Sequence, residues 1–273
     1  MTYLQNFRLP ILKTNVSYPY NILAPMRLDS IEFDPVTIFY GSNGSGKSTL
    51  LNIIARKIAI DMKDRGNDSA YLQQLIDNCR AEFHWNFGDG LPIDSRFIRS
   101  EDVMHEIVRL RKKNETIKNH IKETSPKLYK RFFMGNPVER KKYVWSDDSW
   151  IFSALENFDS AMSNGELAFQ YFENSIATES LIMLDEPENS LSPKFQRNLA
   201  DMIHSYSRFF NCQFIIASHS PFMLSIPGAK IYNLDEHPVK VSKWNELENM
   251  HIYIELFKRL INESNATPNP ETI

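Results

Sequence analysis

The stretch Gly41-Ser42-Asn43-Gly44-Ser45-Gly46-Lys47-Ser48-Thr49 sets glycines, a lysine and hydroxyls at a spacing suited to polyphosphate. Closely spaced negative charge requires many backbone N–H donors and no side chain in the way. Gly41, Gly44 and Gly46 allow the backbone to curl around such a group. A helix opening at Lys47 would add the positive end of its dipole. Lys47 has the reach to neutralise β- and γ-phosphates, and the Ser48 hydroxyl suits a Mg²⁺ ion. The expected ligands are ATP and Mg²⁺, with Gly41 through Thr49 as their cradle.

A second group with chemistry is Asp185-Glu186, directly after Leu181-Ile182-Met183-Leu184. Apolar residues running into two acids place the carboxylates at the C-terminal end of a buried strand, where ligands bind in open α/β sheets. Beside a phosphate loop, Asp185 would hold Mg²⁺ through water. Glu186 would polarise the water that attacks the γ-phosphate. Ser48 and Asp185 are thus the expected metal residues, and Lys47 and Glu186 the expected catalytic ones.

These residues need rigid elements behind them. Val36-Thr37-Ile38-Phe39-Tyr40 reads as a strand, and Leu50, Leu51, Ile53, Ile54 and Ile58 mark the buried face of a helix after the loop. Met26 to Phe33 alternates like a half-exposed strand. A helix is expected over Tyr71–Cys79 and a short strand at Arg96–Arg99. A long amphipathic helix follows, with Val103, Ile107, Val108, Leu110, Ile117 and Ile121 as its apolar positions. After Asp185 the pattern gives a helix from Ser192 to Arg208, a strand Phe214–Ala217, a hairpin of 231–234 with 239–241, and a helix from Glu246 to Ile261. Continuous apolar strands alternating with helices predict a mostly parallel sheet covered on both faces. Tyr18 and Tyr20, around Pro19, could stack on an adenine or simply close a structural turn.

The 273 residues suffice for one large domain, here expected over 1–265 with a helical arm at about 101–160 and a polar tail at 266–273. A net charge of −3 argues against coating nucleic acid through global charge. Cys79 and Cys212 make neither a disulfide framework nor a metal spacing, and Cys212 reads as a buried small hydrophobe. Residues 1–8 lack the apolar core of a signal peptide, and no apolar run approaches the ~20 residues of a membrane span. A soluble, cytoplasmic protein is expected.

Basic charge is concentrated in one region. Arg109, Arg111, Lys112, Lys113, Lys118, Lys122, Lys127, Lys130, Arg131, Arg140, Lys141 and Lys142 face only Glu115, Glu123 and Glu139 there. Such an arm suits a nucleic-acid or phosphate-rich partner, and equally suits a solvated helical face.

Met162-Ser163-Asn164-Gly165-Glu166 lies just before the Asp185 strand and resembles the signature motif of ABC-type ATPases, usually read Leu-Ser-Gly-Gly-Gln. The order of motifs matches as well: phosphate loop, helical arm, Ser163 to Glu166, Asp185-Glu186, then His219 after the next strand. The chain therefore resembles an ABC-type ATPase with a P-loop. The resemblance implies that Ser163 and Gly165 complete the γ-phosphate shell of a nucleotide held by a second copy, and that His219 is the switch histidine touching that phosphate. Two copies would sandwich ATP, and hydrolysis would release them.

The details narrow the branch. No Gln enters the arm at Arg99-Ser100-Glu101-Asp102, and Ser192 stands where transporter subunits commonly carry Asp. These departures resemble stand-alone ATPases related to SMC proteins, DNA-repair ATPases and antiphage-defence ATPases. The arm is too short for a long coiled coil, and the chain ends too soon after His219 for the nuclease domain of some such relatives. The expected function is a switch ATPase in genome maintenance or phage defence. It would act on an effector subunit or on nucleic acid through Arg109, Lys112, Lys113, Lys118, Lys122, Lys130 and Arg131. The alternatives are the nucleotide-binding subunit of a membrane transporter and a regulatory module that holds ATP without turnover.

Overall fold

Strand β3 (Val36–Tyr40) lies inside a six-stranded sheet, and every one of its residues is buried. The computed structural model describes residues 2–11, 17–62, 69–84, 90–134 and 163–266. In chain order the elements before β3 are β1 (Leu4–Arg8), α1 (Tyr20–Leu23) and β2 (Ser30–Glu32). After it come α2 (Lys47–Lys57), α3 (Ala70–Asn78), β4 (Arg80–Phe83), β5 (Arg96–Arg99), α4 (Ser100–Thr124) and α5 (Pro126–Phe133). The remainder comprises α6 (Asn164–Ser175), β6 (Leu181–Asp185), α7 (Pro193–Phe209), β7 (Gln213–Ala217), α8 (Pro221–Leu224), β8 (Lys230–Asn233), β9 (Lys240–Ser242) and α9 (Glu248–Ala266).

The large sheet has the order β5-β6-β7-β3-β8-β9. All pairings are parallel except β8 with β9. Alternate residues feed two cores, as the pleat requires. Phe39, Met183 and Ile215 join Leu50, Ile53 and Ile54 of α2 on one face. Ile38, Ile182, Leu184, Phe214 and Ile216 meet Val103 and Ile107 of α4, Phe172 of α6, and Leu199 and Ile203 of α7 on the other. Helices on both faces explain why these strands carry no polar alternation.

A second, antiparallel sheet of order β2-β1-β4 covers the α2 side. Buried Gln213 ties it down: its Oε1 accepts from the N–H groups of Tyr3 (2.8 Å) and Leu4 (2.9 Å), and its Nε2 donates to the Leu4 carbonyl (2.8 Å). The Tyr232 hydroxyl adds a second tie, donating to the Glu32 carbonyl and accepting from its N–H, both at 3.0 Å.

Some expectations shift. The strand read over Met26–Phe33 is confined to Ser30–Glu32, because Ala24–Met26 forms a 3₁₀ turn and Arg27 is left-handed. On α4, Val103, Ile107, Leu110 and Ile121 are buried, but Val108 is 60% exposed and Ile117 only half-buried. The last helix extends to Ala266 and takes in the first residue of the expected tail. Of the arm expected at 101–160, residues 135–160 lie outside the described residues. Within the described residues no helix is long and apolar enough to cross a membrane.

Candidate functional site

Gly46 caps α2 with a positive φ of 94°, and a Cβ there would fall 2.6 Å from both Ile22 and Met26. Only glycine satisfies that backbone and that contact. The segment carrying Tyr18 and Tyr20 therefore packs against the loop; Tyr20 leans on the core, whereas Tyr18 is exposed. No side chain caps the start of α2, so its first N–H groups are not spent within the chain's own helix cap. Ser42, Asn43, Gly44 and Ser48 are exposed, and Thr49 and Ser45 half-buried. The Ser45 hydroxyl oxygen is buried with no hydrogen-bond partner, which fits a phosphate oxygen.

Lys47 is 3% exposed, and its ammonium donates to the carbonyls of Gly41 (2.9 Å) and Ser42 (3.1 Å). It also lies 3.4 Å from Glu186 Oε1. On the far side of the loop, Asp235, which follows β8, accepts from the Ser42 N–H at 2.9 Å and from its hydroxyl at 2.8 Å. The loop is thus held between β8 and β6, with β7 carrying His219 between the strands of the loop and the acids.

At the end of β6 the Ser48 hydroxyl donates to Asp185 Oδ1 at 2.9 Å. Burial pushes the Asp185 carboxyl up to about 6 from 3.8; the Ser48 hydrogen bond and Lys47 oppose this, and Glu186 and Glu101 add to it. A divalent cation would reverse that balance by favouring the carboxylate. Two hard oxygen donors side by side suit Mg²⁺, which takes one or two protein ligands and completes its shell with water and phosphate. No group of three or more His, Cys, Asp or Glu side chains among the described residues would hold a metal alone.

Glu186 adopts a left-handed conformation (φ 46°, ψ 51°), which costs a non-glycine residue about 1–2 kcal/mol. Its N–H bonds the Ala217 carbonyl at 2.9 Å. Its carboxylate lies between Lys47 and Asn189, whose amide donates at 2.9 Å. The strain is local to the residue expected to handle water.

Ser163 caps α6. Its hydroxyl accepts from the Glu166 N–H at 3.3 Å, while its own N–H donates to Glu166 Oε2 at 2.7 Å. That bond from the Ser163 backbone, before the hydroxyl contact, holds the Glu166 carboxyl below its ordinary range. Gly165 lies against α7, where a Cβ would be 3.4 Å from the Phe195 ring. Met162 is outside the described residues.

Sequence reasoning did not single out Glu188, Gln196, Asp235 or Glu101. Glu188 is buried beneath the Ser218–Ser220 turn. Gln196 ties that turn to the segment after Glu186. A second acid two residues beyond Asp185-Glu186 was the available signal for Glu188; Asp235 and Gln196 stand in no motif.

The basic residues divide. Arg109 pairs with Glu106 at 2.6 Å, and Lys118 and Lys122 lie over the rings of Phe133 and Tyr129, pinning α5 to α4. Lys112 and Lys130 are exposed and Lys113 is half-buried. The Arg131 side chain and residues 140–142 fall outside the described residues.

A parallel sheet with a glycine-capped loop on one strand, paired acids two strands away and a histidine between them is similar to the arrangement of P-loop ATPases of the ABC and SMC-like type. A family model described as an AAA ATPase domain matches residues 162–224, the stretch from Ser163 through His219. The tungstate uptake system ATP-binding protein TupC of Peptoclostridium acidaminophilum is 24% identical over 215 residues, covering 78% of this chain and 88% of that protein. Among solved structures, the SMC head domain from Thermotoga maritima covers 88% of this chain and 98% of its own at 13% identity (TM-score 0.44). The Pyrococcus furiosus Smc head bound to the C-terminal domain of ScpA covers 94% and 100% at 14% identity (TM-score 0.46).

Proposed function

We propose that the protein is a switch ATPase in which two copies close over shared ATP, and that hydrolysis reopens them. The observation that carries this reading is the convergence of Lys47 on Glu186 and of Ser48 on Asp185 at the ends of two buried strands, β3 and β6, that flank β7. The P-loop amides, the Ser45 hydroxyl and Lys47 bind the phosphates and neutralise their charge. Ser48 and Asp185 would hold Mg²⁺, which when bound would withdraw charge from the phosphate oxygens. Glu186 orients a water so that its oxygen attacks the γ-phosphorus while the bridging oxygen to the β-phosphate leaves, and the carboxylate takes up the proton. Ser163 and Gly165 at the start of α6 face the γ-phosphate of the other copy, and His219 contacts the γ-phosphate beside its own loop.

The expected output is work on nucleic acid or on an effector subunit in genome maintenance or antiphage defence, in the cytoplasm. Exposed Lys112 and Lys130 on the arm support a nucleic-acid contact. The likeness to TupC supports a second reading, an ATP-binding subunit of an uptake system.

Glu186→Gln keeps the fold and the nucleotide site but removes the water-orienting carboxylate. The expected outcome is a turnover loss of roughly 100-fold or more and a dimer on size exclusion at saturating ATP with Mg²⁺. A monomer under those conditions overturns the shared site. DNA that raises wild-type turnover supports the switch on nucleic acid, and neutralising Lys112 and Lys130 should then lower the salt slope of binding by about 0.9 for each lysine–phosphate ion pair removed. Indifference to DNA, with stimulation by a membrane subunit, favours the uptake reading.

A further inference from the structure

Glu188 is a buried acid that the steps above do not use. Its side chain is 5% exposed, and one oxygen, Oε1, receives three hydrogen bonds. They come from the Ser218 hydroxyl (2.8 Å), the His219 N–H (2.8 Å) and the Ser220 N–H (3.2 Å). Its other oxygen, Oε2, is buried without a hydrogen bond. So is Nδ1 of His219, which lies 3.4 Å from Oε1. Two unpaired buried polar atoms on adjacent side chains are costly apart and complementary together.

The surroundings leave little freedom. Gln196 donates to the carbonyls of Glu188 (3.3 Å) and Leu191 (3.0 Å) and accepts from the Ser220 hydroxyl (2.8 Å). That bridge fixes the Pro187–Ser190 turn against the turn that carries His219. Ser190 in turn donates to the Ser100 carbonyl at the start of α4 (3.3 Å). Oε1 already accepts three hydrogen bonds, so Oε2 is the oxygen left for the ring, and only a protonated Nδ1 can donate to it.

We propose that Glu188 is a positioning residue for His219. Its carboxylate accepts from Nδ1–H, so that the ring, as an imidazolium gripped between two acceptors, donates from Nε2–H to a phosphoryl oxygen. This logic of a carboxylate fixing tautomer and orientation is general to working histidines. The inference rests on the reading of His219 as a γ-phosphate contact, but the hold of Glu188 on the ring can be measured without turnover.

Glu188→Gln is the informative variant. Its amide oxygen can keep the three donors of the 218–220 turn, so the fold is retained, while an NH₂ replaces Oε2. With the negative charge gone and an NH₂ donor facing Nδ1, the ring accepts there and stays neutral, its one proton on Nε2, so the cation that meets the phosphoryl oxygen is lost. Long-range ¹H–¹⁵N spectra of histidine-labelled protein, assigned with His219→Ala, should show Nδ1 protonated in the wild type and unprotonated in Glu188→Gln. Turnover should fall roughly 10–100-fold, the range for residues that orient another functional group, with KM for ATP changed less than about twofold. In a His219→Ala background Glu188→Gln should cost nothing further.

An unprotonated Nδ1 in the wild type, the same protonation in both proteins, or an undiminished loss in the His219→Ala background would overturn the proposal. If the spectra behave as expected but His219→Ala hydrolyses ATP normally, the positioning stands and the assignment of His219 to the nucleotide site fails.

Discussion

Two helix N-termini in this chain belong to the proposed phosphate site, and they are built differently. Helix α2 begins at a left-handed glycine with no side-chain cap, beside an unpartnered buried serine hydroxyl. Helix α6 begins at Ser163 in a complete capping box, with the Glu166 carboxylate bonded back to the Ser163 N–H. The first has no acidic residue in its own first turn; the second carries one. The difference suggests a division of labour. The α2 end is ready to take a polyphosphate by itself, whereas the α6 end is self-satisfied and offers only its remaining N–H groups and a hydroxyl proton. A second copy bringing nucleotide to α6 would add to an existing cap rather than fill an empty one.

The sharpest way to break this comparison is at Ser163. Ser163→Arg should lower turnover by roughly 100-fold or more while leaving the ATP affinity of the isolated subunit within about twofold, because α2 does the initial binding. Loss of the cap alone costs about 1 kcal/mol. Ser163→Asp separates the two effects, since it keeps a good cap yet sets a carboxylate where the partner's γ-phosphate would arrive. Turnover unchanged in both variants would place Ser163 outside the active site. Turnover lost in Arg but kept in Asp would reduce its role to capping.

The strands that carry the proposed site were more legible than the elements that support them. Val36–Tyr40, Leu181–Leu184 and Phe214–Ala217 are buried on both faces, so each writes an apolar run that ends where its chemistry begins. The small sheet left no such mark: Leu4–Arg8 and Arg80–Phe83 are short, pair across a wide sequence gap, and depend on Gln213 from a third element. Glu188 and Asp235 escaped for a related reason, because a lone acid takes its meaning from neighbours that only the fold supplies. On α4 the periodicity misled at Val108 and Ile117, since the helix runs on past the sheet and only part of its apolar stripe finds a core. The roles of Ser163 and Gly165 came from resemblance to a motif, and what the residues did not declare is that the motif's last position closes a capping box.

A smaller effect sharpens the α2 side. Asp185 is raised to about 6 from 3.8 chiefly by burial, so the folded protein holds a proton there that the unfolded chain releases near 4. Stability is therefore greatest below pH 4 for this group and falls as pH rises towards 6; above that the full cost, at most about 3 kcal/mol, is present. Asp185→Asn should raise Tm in EDTA at pH 8 by roughly 3–6 °C and barely change it near pH 4. The same variant should lose the stabilisation that Mg²⁺ with ATP gives the wild type. A variant no more stable than wild type at pH 8 would mean that the carboxylate is not held at a cost. A variant still stabilised by Mg²⁺ would move the metal away from Ser48 and Asp185.

The smallest effect tests the α6 side directly. Glu166→Gln preserves an acceptor for the Ser163 N–H and removes the negative charge from the helix end. If the γ-phosphate of a second copy approaches that end, the wild-type carboxylate repels it, and the repulsion between exposed, screened charges is modest. In a Glu186→Gln background, where the dimer is long-lived, Glu166→Gln should tighten ATP-dependent dimerisation by about 2–5-fold, and the gain should shrink as salt is raised. Sedimentation at several salt concentrations reads both quantities. Tightening that ignores salt would be a packing effect, and weaker dimers would mean that Glu166 helps the closed state, as a cap whose charge the incoming phosphate never meets.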